Sequence, residues 1–171
     1  MAAPTLEDLL LNSKHSAVHL ELRDGYMTDD PLYIRWLDGQ RDDPTDRAAW
    51  WGPWLQLMAD ITAKGVDVRR ARIISEPVSE YIRFEHDITF RNVAAGEQVR
   101  WLPRRQATDL ALPGNDFWLI DGGLVMVHHF SGGGDFMDDE VTTDPAVVRL
   151  CASAFEATWD RAIPHEDYRP N

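Results

Sequence analysis

The chain has 171 residues, 44% hydrophobic and 10% aromatic, which supplies one domain's core and excludes a disordered chain. Its net charge of −12 excludes a free-standing grip on nucleic acid, which needs a basic footprint. A lone cysteine, Cys151, excludes an internal disulfide and fits a reducing cytoplasm, and neither a signal peptide nor a membrane-length apolar run is read.

In chain order, Leu6–Leu11 reads as a short helix started by Thr5 and the acids Glu7 and Asp8. Ala17–Arg23 alternates, with Val18, Leu20 and Leu22 on one face and His19, Glu21 and Arg23 on the other: the pattern of a half-buried strand. Tyr26–Asp30 is a loop, Asp30-Pro31 opens a helix through Trp36, and Asp38–Asp46 is an exposed loop. Gly52-Pro53 opens a helix on which Trp54, Leu57, Met58 and Ile61 recur at three and four, closed by Lys64-Gly65. Trp50 and Trp51 ahead of it serve either core packing or a ligand platform.

Val66–Ser75 is a strand, and the order strand–helix–strand predicts parallel pairing with the first. Its alternation is imperfect, because Arg70 and Arg72 share a face with Val66 and Val68. Ser79–Phe90 is a helix with Tyr81, Phe84 and Ile88 inward, Asn92–Glu97 a turn, and Gln98–Pro103 a strand burying Val99 and Trp101. Between Val66 and Arg105 stand eight arginines against six acids. That fits an arginine-lined site for an anion, or only the chain's general preference for arginine over lysine, fifteen to two. Phe117–Ile120 and Leu124–Phe130 form a hairpin across Asp121-Gly122-Gly123, the second strand central because both its faces begin apolar. An acidic loop then runs to Thr143, and Asp144-Pro145 starts a final amphipathic helix bearing Val148, Ala152, Phe155, Trp159 and Ala162. Residues 164–171 read as a loosely held polar tail. The whole is a single α/β domain over residues 1–171, one mixed sheet with flanking helices.

Chemistry-bearing residues are densest in the hairpin: Asp116, Asp121, His128 and His129. Adjacent histidines on a strand point to opposite faces and cannot share a metal, and without HxxxH, CxxC or HxH no metal or other cofactor is expected. Gly132–Gly134 lacks the spacing of a phosphate loop, no GxSxG appears, and Cys151 reads as core. Glu76, Tyr81, Arg83, Glu85 and His86 crowd one helix start, where acid–base work or a salt-bridged surface with an Arg83–Asp87 pair would both fit.

The phrases SEPVSEYIRFEHDIT, GEQVRWLPRR and LPGNDFWLID, with HSAVHLELRD, DPAVVRLC and PHEDYRP, resemble an uncharacterised actinobacterial family nearly end to end. That resemblance implies a cytoplasmic protein, often encoded beside helix-turn-helix regulators, and carries no agreed catalytic residues. The element order and the hairpin DFWLIDGGLVMV also resemble half of a phospholipase D-like domain. The active phrase there is HxKxxxxD. Counted back from Asp121, Gly114 stands at the histidine position and Asp116 at the lysine position, so only the aspartate matches. Without that nucleophile and cation, phospholipase D activity is not expected.

The resulting expectation is a non-catalytic regulatory or partner-binding domain acting with a DNA-binding helix-turn-helix regulator. Its recognition site would lie at the strand ends, where Ser75-Glu76, Arg104-Arg105 and Asp116–Asp121 meet. The alternative is a small-molecule binder or enzyme with an acid–base pocket. Across both readings the candidate ligand-binding residues are Glu76, Tyr81, Arg83, Trp101, Arg104, Arg105, Asp116, Trp118, Asp121 and His128. The first would recognise a regulator and the second a small-molecule ligand; neither needs nucleic acid or membrane, and a homodimer is expected.

Overall fold

The computed structural model describes residues 4–171. The elements in order are α1 (Leu6–Asn12), β1 (Ser16–Glu21), α2 (Pro31–Leu37), α3 (Arg47–Trp50), α4 (Pro53–Ala63), β2 (Asp67–Ile74) and α5 (Glu80–Ala94). There follow β3 (Gln98–Pro103), a 3-10 turn (Arg104–Ala107), β4 (Phe117–Ile120), β5 (Leu124–Phe130), β6 (Phe136–Thr142), α6 (Pro145–Arg161) and β7 (Ile163–Pro164). Seven strands make one sheet in the order β6-β5-β4-β1-β2-β3-β7. β1, β2 and β3 run parallel; every other neighbouring pair is antiparallel. The single mixed sheet with flanking helices and the parallel pairing of the first two strands are as the sequence predicts.

Local chemistry sets the helix starts. Thr5 and Asp8 form a reciprocal capping box at α1, and Asp30, Ser79 and Asp144 each accept a backbone N–H at α2, α5 and α6. Gly96, at φ +94, ends α5 where a Cβ would stand 2.6 Å from Thr62 Oγ1 of α4, so only glycine lets the helix ends close up. The β4–β5 connection is the three residues Asp121-Gly122-Gly123, in which Asp121 and Gly122 both take positive φ and Gly123 N–H donates back to Ile120 O at 3.0 Å.

Helix α6 covers one face of the sheet, packing Phe155, Trp159 and Ala154 onto Val18, Leu20, Ile73, Phe117 and Leu119. On the other face α1 and α4 bury Leu10, Met58 and Ile61 against Ala17, Val68, Trp118 and Met126. Tyr33 of α2 packs on Tyr81 and Phe84 of α5 at one end of that face.

Five expectations need correcting. β1 is the central strand and is buried on both faces, not half-buried, because helices cover both sides. β5 has neighbours on both sides but lies next to the edge. The acidic stretch after Ser131-Gly132-Gly133-Gly134 is strand β6, an exposed edge whose charges discourage a further strand from adding to it. The last residues are not loose. Ile163–Pro164 pairs with β3, Tyr168 stacks on Trp101 at 5.6 Å and donates to Glu76 Oε1 at 2.9 Å, and Asn171 O accepts from Val78 N–H. The turn expected at Asn92–Glu97 begins later, since α5 runs on to Ala94.

Candidate functional site

Strand register builds the site. The face opposite α6 carries every second residue of each strand, and cross-strand pairing sets these side by side. One such file runs Arg70, His19, Trp118, Met126 from β2 through β1 and β4 to β5. The next file begins with the pairs Trp101–Arg72 and Arg72–Glu21, and ends with His128–Asp139. Asp116, just before β4, stands between Glu21 and His128, and its carbonyl accepts His128 N–H at 2.9 Å. Six strands or strand ends thus contribute Trp101, Arg72, Glu21, Asp116, His128 and Asp139 to one file. Between this floor, α5, the start of α4 and the Tyr26–Asp30 loop lies a cleft of about 700 Å³. That is the size range of small-molecule sites.

Its arginines are neutralised within the floor. Arg70 donates to Glu97 at 2.6 Å and Glu21 at 3.1 Å; Arg72 lies 2.9 Å from Glu21 and donates to Glu85 of α5 at 2.6 Å. Burial opposes the charge on both guanidiniums, yet these carboxylates hold their pKa values above the ordinary value. The buried ions persist because each has an opposite partner. The imperfect alternation of β2 is therefore this network: its arginines sit on an inward face with Val68.

His19 differs from its neighbours. Its ring stacks on Trp118 at 4.4 Å, meets His128 edge-on at 5.6 Å, and is 7% exposed. Neither ring nitrogen has a hydrogen-bond partner among the described residues. Burial, then Arg70, His128 and Arg72, push its pKa well below the ordinary value, so it is neutral, with one donor and one acceptor. Asp116 accepts Leu22 N–H at 2.8 Å and the Tyr26 hydroxyl. Burial, reinforced by Glu21, raises its pKa to about 6 against the pull of those two donors. Burial, with Glu21 and Asp116, likewise raises Tyr26 well above the usual tyrosine range. His128 Nδ1 lies 2.6 Å from Asp139 Oδ1, which accepts the Nδ1 proton when the carboxylate is ionised. His129 points to the opposite face, as adjacent strand residues must, and pairs with Glu140 at 3.1 Å.

Of the ten candidate residues, Tyr81, Asp116, Trp118 and His128 line this cleft. The other six lie elsewhere. Trp101 is fully buried, donating to His165 Nδ1 at 3.2 Å beneath the Tyr168 ring. Glu76 takes the Tyr168 hydroxyl, and Arg83 donates to Asn171 O at 2.8 Å rather than pairing with Asp87. Arg104 spends its donors on Ser75, Asp24 and the carbonyls of Leu22 and Ile73, stapling strand ends together. Arg104 and Arg105 line a separate hollow of about 320 Å³ with Ser75 and Glu76. The expected meeting of these residues with Asp116–Asp121 does not occur, because Asp116 and Asp121 flank opposite ends of β4.

Asp121 is a structural clamp. Its carboxylate accepts the backbone N–H of Lys14, His15 and Ser16 at 2.7–3.2 Å. Slight burial opposes its charge, and the N–H groups of Ser16, His15 and Lys14 outweigh this and lower its pKa. Asp121→Ala is expected to destabilise the fold by about 1–2 kcal/mol while leaving the cleft unchanged, measured by urea denaturation. As site residues the sequence missed His19, Glu21, Arg70, Arg72, Tyr26 and Asp139, while Glu85, named with Tyr81 at the start of one helix, does line the cleft. The visible signal was polar residues at inward positions of β1 and β2. No group of three or more His, Cys, Asp or Glu arranged to hold a metal is found among the described residues.

A family model, Domain of unknown function (DUF6879), matches residues 4–170. Among solved structures, the chain is similar to Nuc from Salmonella typhimurium, a phospholipase D family member, with TM-score 0.51 and 11% identity over 95% of this chain and 88% of that one. It is also similar to TrmBL2, an archaeal chromatin protein with a novel mode of DNA binding, with TM-score 0.50 and 11% identity. There the likeness covers 92% of this chain but 48% of the other, so the chain spans about half of that protein's length. These likenesses place the fold alone. No curated protein matches the chain in sequence. No helix among the described residues is long and apolar enough to cross a membrane.

Proposed function

Starting from a chain that belongs to the DUF6879 family, we propose that it is a non-catalytic ligand-binding domain. It holds a small organic molecule in the cleft over β1, β4 and β5 and reports on it to a DNA-binding partner. The observation that carries the binding part is His19. Two buried ring nitrogens without partners cost about 1–3 kcal/mol each, a cost that persists where a bound molecule repays it. Supporting the regulatory part are the replaced histidine and lysine positions, Gly114 and Asp116, and a fold similar to half of a DNA-binding chromatin protein.

His19→Phe keeps the stack on Trp118 and removes both orphaned nitrogens. It is expected to stabilise the free protein by about 1–2 kcal/mol, a rise of several degrees in Tm. The same variant is expected to lose a small molecule that purified wild-type protein releases on denaturation, detected by mass spectrometry. A variant that is less stable than wild type, together with no released compound from either, would sink the reading.

One observation favours a second reading: the His128–Asp139 dyad beside Asp116 contains a proton acceptor and a carboxyl held near neutral pKa, the parts of acid–base catalysis. Adding the released compound back to fresh protein separates the two. Conversion over time would speak for catalysis, saturable binding without conversion for sensing.

A further inference from the structure

The cleft's charge is not balanced, and the imbalance has a direction. Its lining contains five acids, Glu21, Asp30, Glu85, Asp116 and Asp139, against three arginines, Arg70, Arg72 and Arg91. Each arginine is already committed to carboxylates, two of which, Glu97 and Asp42, stand behind the lining and add further negative charge. Asp30, Asp116 and Asp139 have no arginine or lysine within ion-pair distance among the described residues; Asp139 has only the His128 ring. Even Arg23, which stands 4.9 Å over the Phe130 ring, leaves the surroundings acidic. Among the described lining residues every arginine already faces a carboxylate, and Arg23, outside the lining, is engaged on the Phe130 ring.

The unspent acceptors converge at one end. Asp116 uses one acceptor site on each oxygen, for Leu22 N–H and Tyr26 O–H, and a carboxylate has about four. Asp139, 2.6 Å from His128 Nδ1 through one oxygen, offers the other. Around these stand the rings of Tyr26, Tyr81 and Phe136, whose electron-rich faces attract a cation, as the Phe130 ring already does with Arg23. At the other end of the same floor lies the neutral, unpartnered His19 against Trp118, a flat surface with one donor and one acceptor to give.

Resting on the reading that the cleft binds a small molecule, we infer that its ligand is an aromatic or heteroaromatic amine bearing a positive charge. The ammonium sits among Asp116, His128 and Asp139, and the ring system lies toward Trp118 and His19. The raised pKa values of Asp116 and Tyr26, each partly caused by Glu21, agree with a negative potential at that end. The net charge of −12 adds long-range attraction for a cation.

Three probes sharing one ring system test the inference by isothermal titration at low salt: tryptamine as cation, tryptophol as neutral analogue and indole-3-acetate as anion. Tryptamine is expected to bind at least about tenfold more tightly than tryptophol, and indole-3-acetate least. Asp139→Asn, on the exposed edge strand and so little threat to folding, is expected to reduce the tryptamine-to-tryptophol preference severalfold. Equal binding of all three, or a preference for the anion, overturns the amine assignment. If none binds while wild-type protein still releases a compound that His19→Phe does not, the amine assignment falls and the binding cleft stands. If nothing is released either, both fall.

Discussion

Arg72→Met is expected to lower stability by about 3–5 kcal/mol, with a fall in Tm on the order of 10 °C, read from urea and thermal unfolding. Arg72 is 4% exposed and, among the described residues, is the only arginine joining Glu21 of β1 to Glu85 of α5. Without it, among the described residues, Glu85 keeps no cation and Glu21 only Arg70. The cost is that of leaving buried carboxylates unpaired, which exceeds the modest net value of an intact pair. It follows that neutralising the carboxylates as well should recover most of the loss. The triple change Arg72→Met with Glu21→Gln and Glu85→Gln is expected within about 1–2 kcal/mol of wild type. A mild effect of Arg72→Met alone would mean that water reaches these carboxylates and the network is no buried one.

That network also marks the boundary of what the sequence could reveal. Helices α1, α2, α4 and α6 were legible because caps and prolines act over a few residues: Thr5 with Asp8, Asp30-Pro31, Gly52-Pro53, Asp144-Pro145. The parallel pairing of β1 with β2 followed from their connection through helices. Strand β6 was hidden because its solvent-facing residues are acids that read as loop, and an edge strand needs no apolar face. The tail was hidden because its anchors lie far off in sequence: Pro164 pairs with Arg100 of β3, Tyr168 stacks on Trp101, and Asn171 O accepts from Val78 N–H.

The site was half legible for a related reason. Asp116, Trp118 and His128 come from one hairpin, so local reading brought them together. Their partners His19, Glu21, Arg70 and Arg72 come from strands distant in sequence and meet them only through sheet register. Arg70 and Arg72 were noticed as violations of alternation; what they neutralised could not be read without knowing that β1 lies beside β2. Asp121 was overvalued because its match to a catalytic phrase is real, yet its carboxylate is occupied by three backbone N–H groups.

The second large effect concerns Asp116 and pH. Its folded pKa of about 6 exceeds the ordinary 3.8, so the folded state binds its proton more readily than the unfolded chain does. Above about pH 6 the buried carboxylate is ionised and its contribution is fully destabilising; as pH falls below that, the folded protein takes up the proton and stability is regained. A shift of about two units corresponds to about 3 kcal/mol in full, of which about 2 kcal/mol returns between about pH 7.5 and 4.5. Asp116→Asn removes this group from the titration. The variant is therefore expected to be more stable than wild type near pH 7.5, with the difference shrinking by about 2 kcal/mol by pH 4.5. Other groups titrate equally in both proteins and cancel from the difference. A pH-independent difference would mean that Asp116 is already protonated at neutral pH or well solvated. The residue's cost at neutral pH also bears on the ligand: a bound ammonium would favour the ionised carboxylate, lower its pKa and convert a destabilising charge into a pairing one. Affinity for tryptamine should accordingly weaken as pH drops through about 6 in the wild type, and Asp116→Asn should abolish that dependence together with part of the affinity.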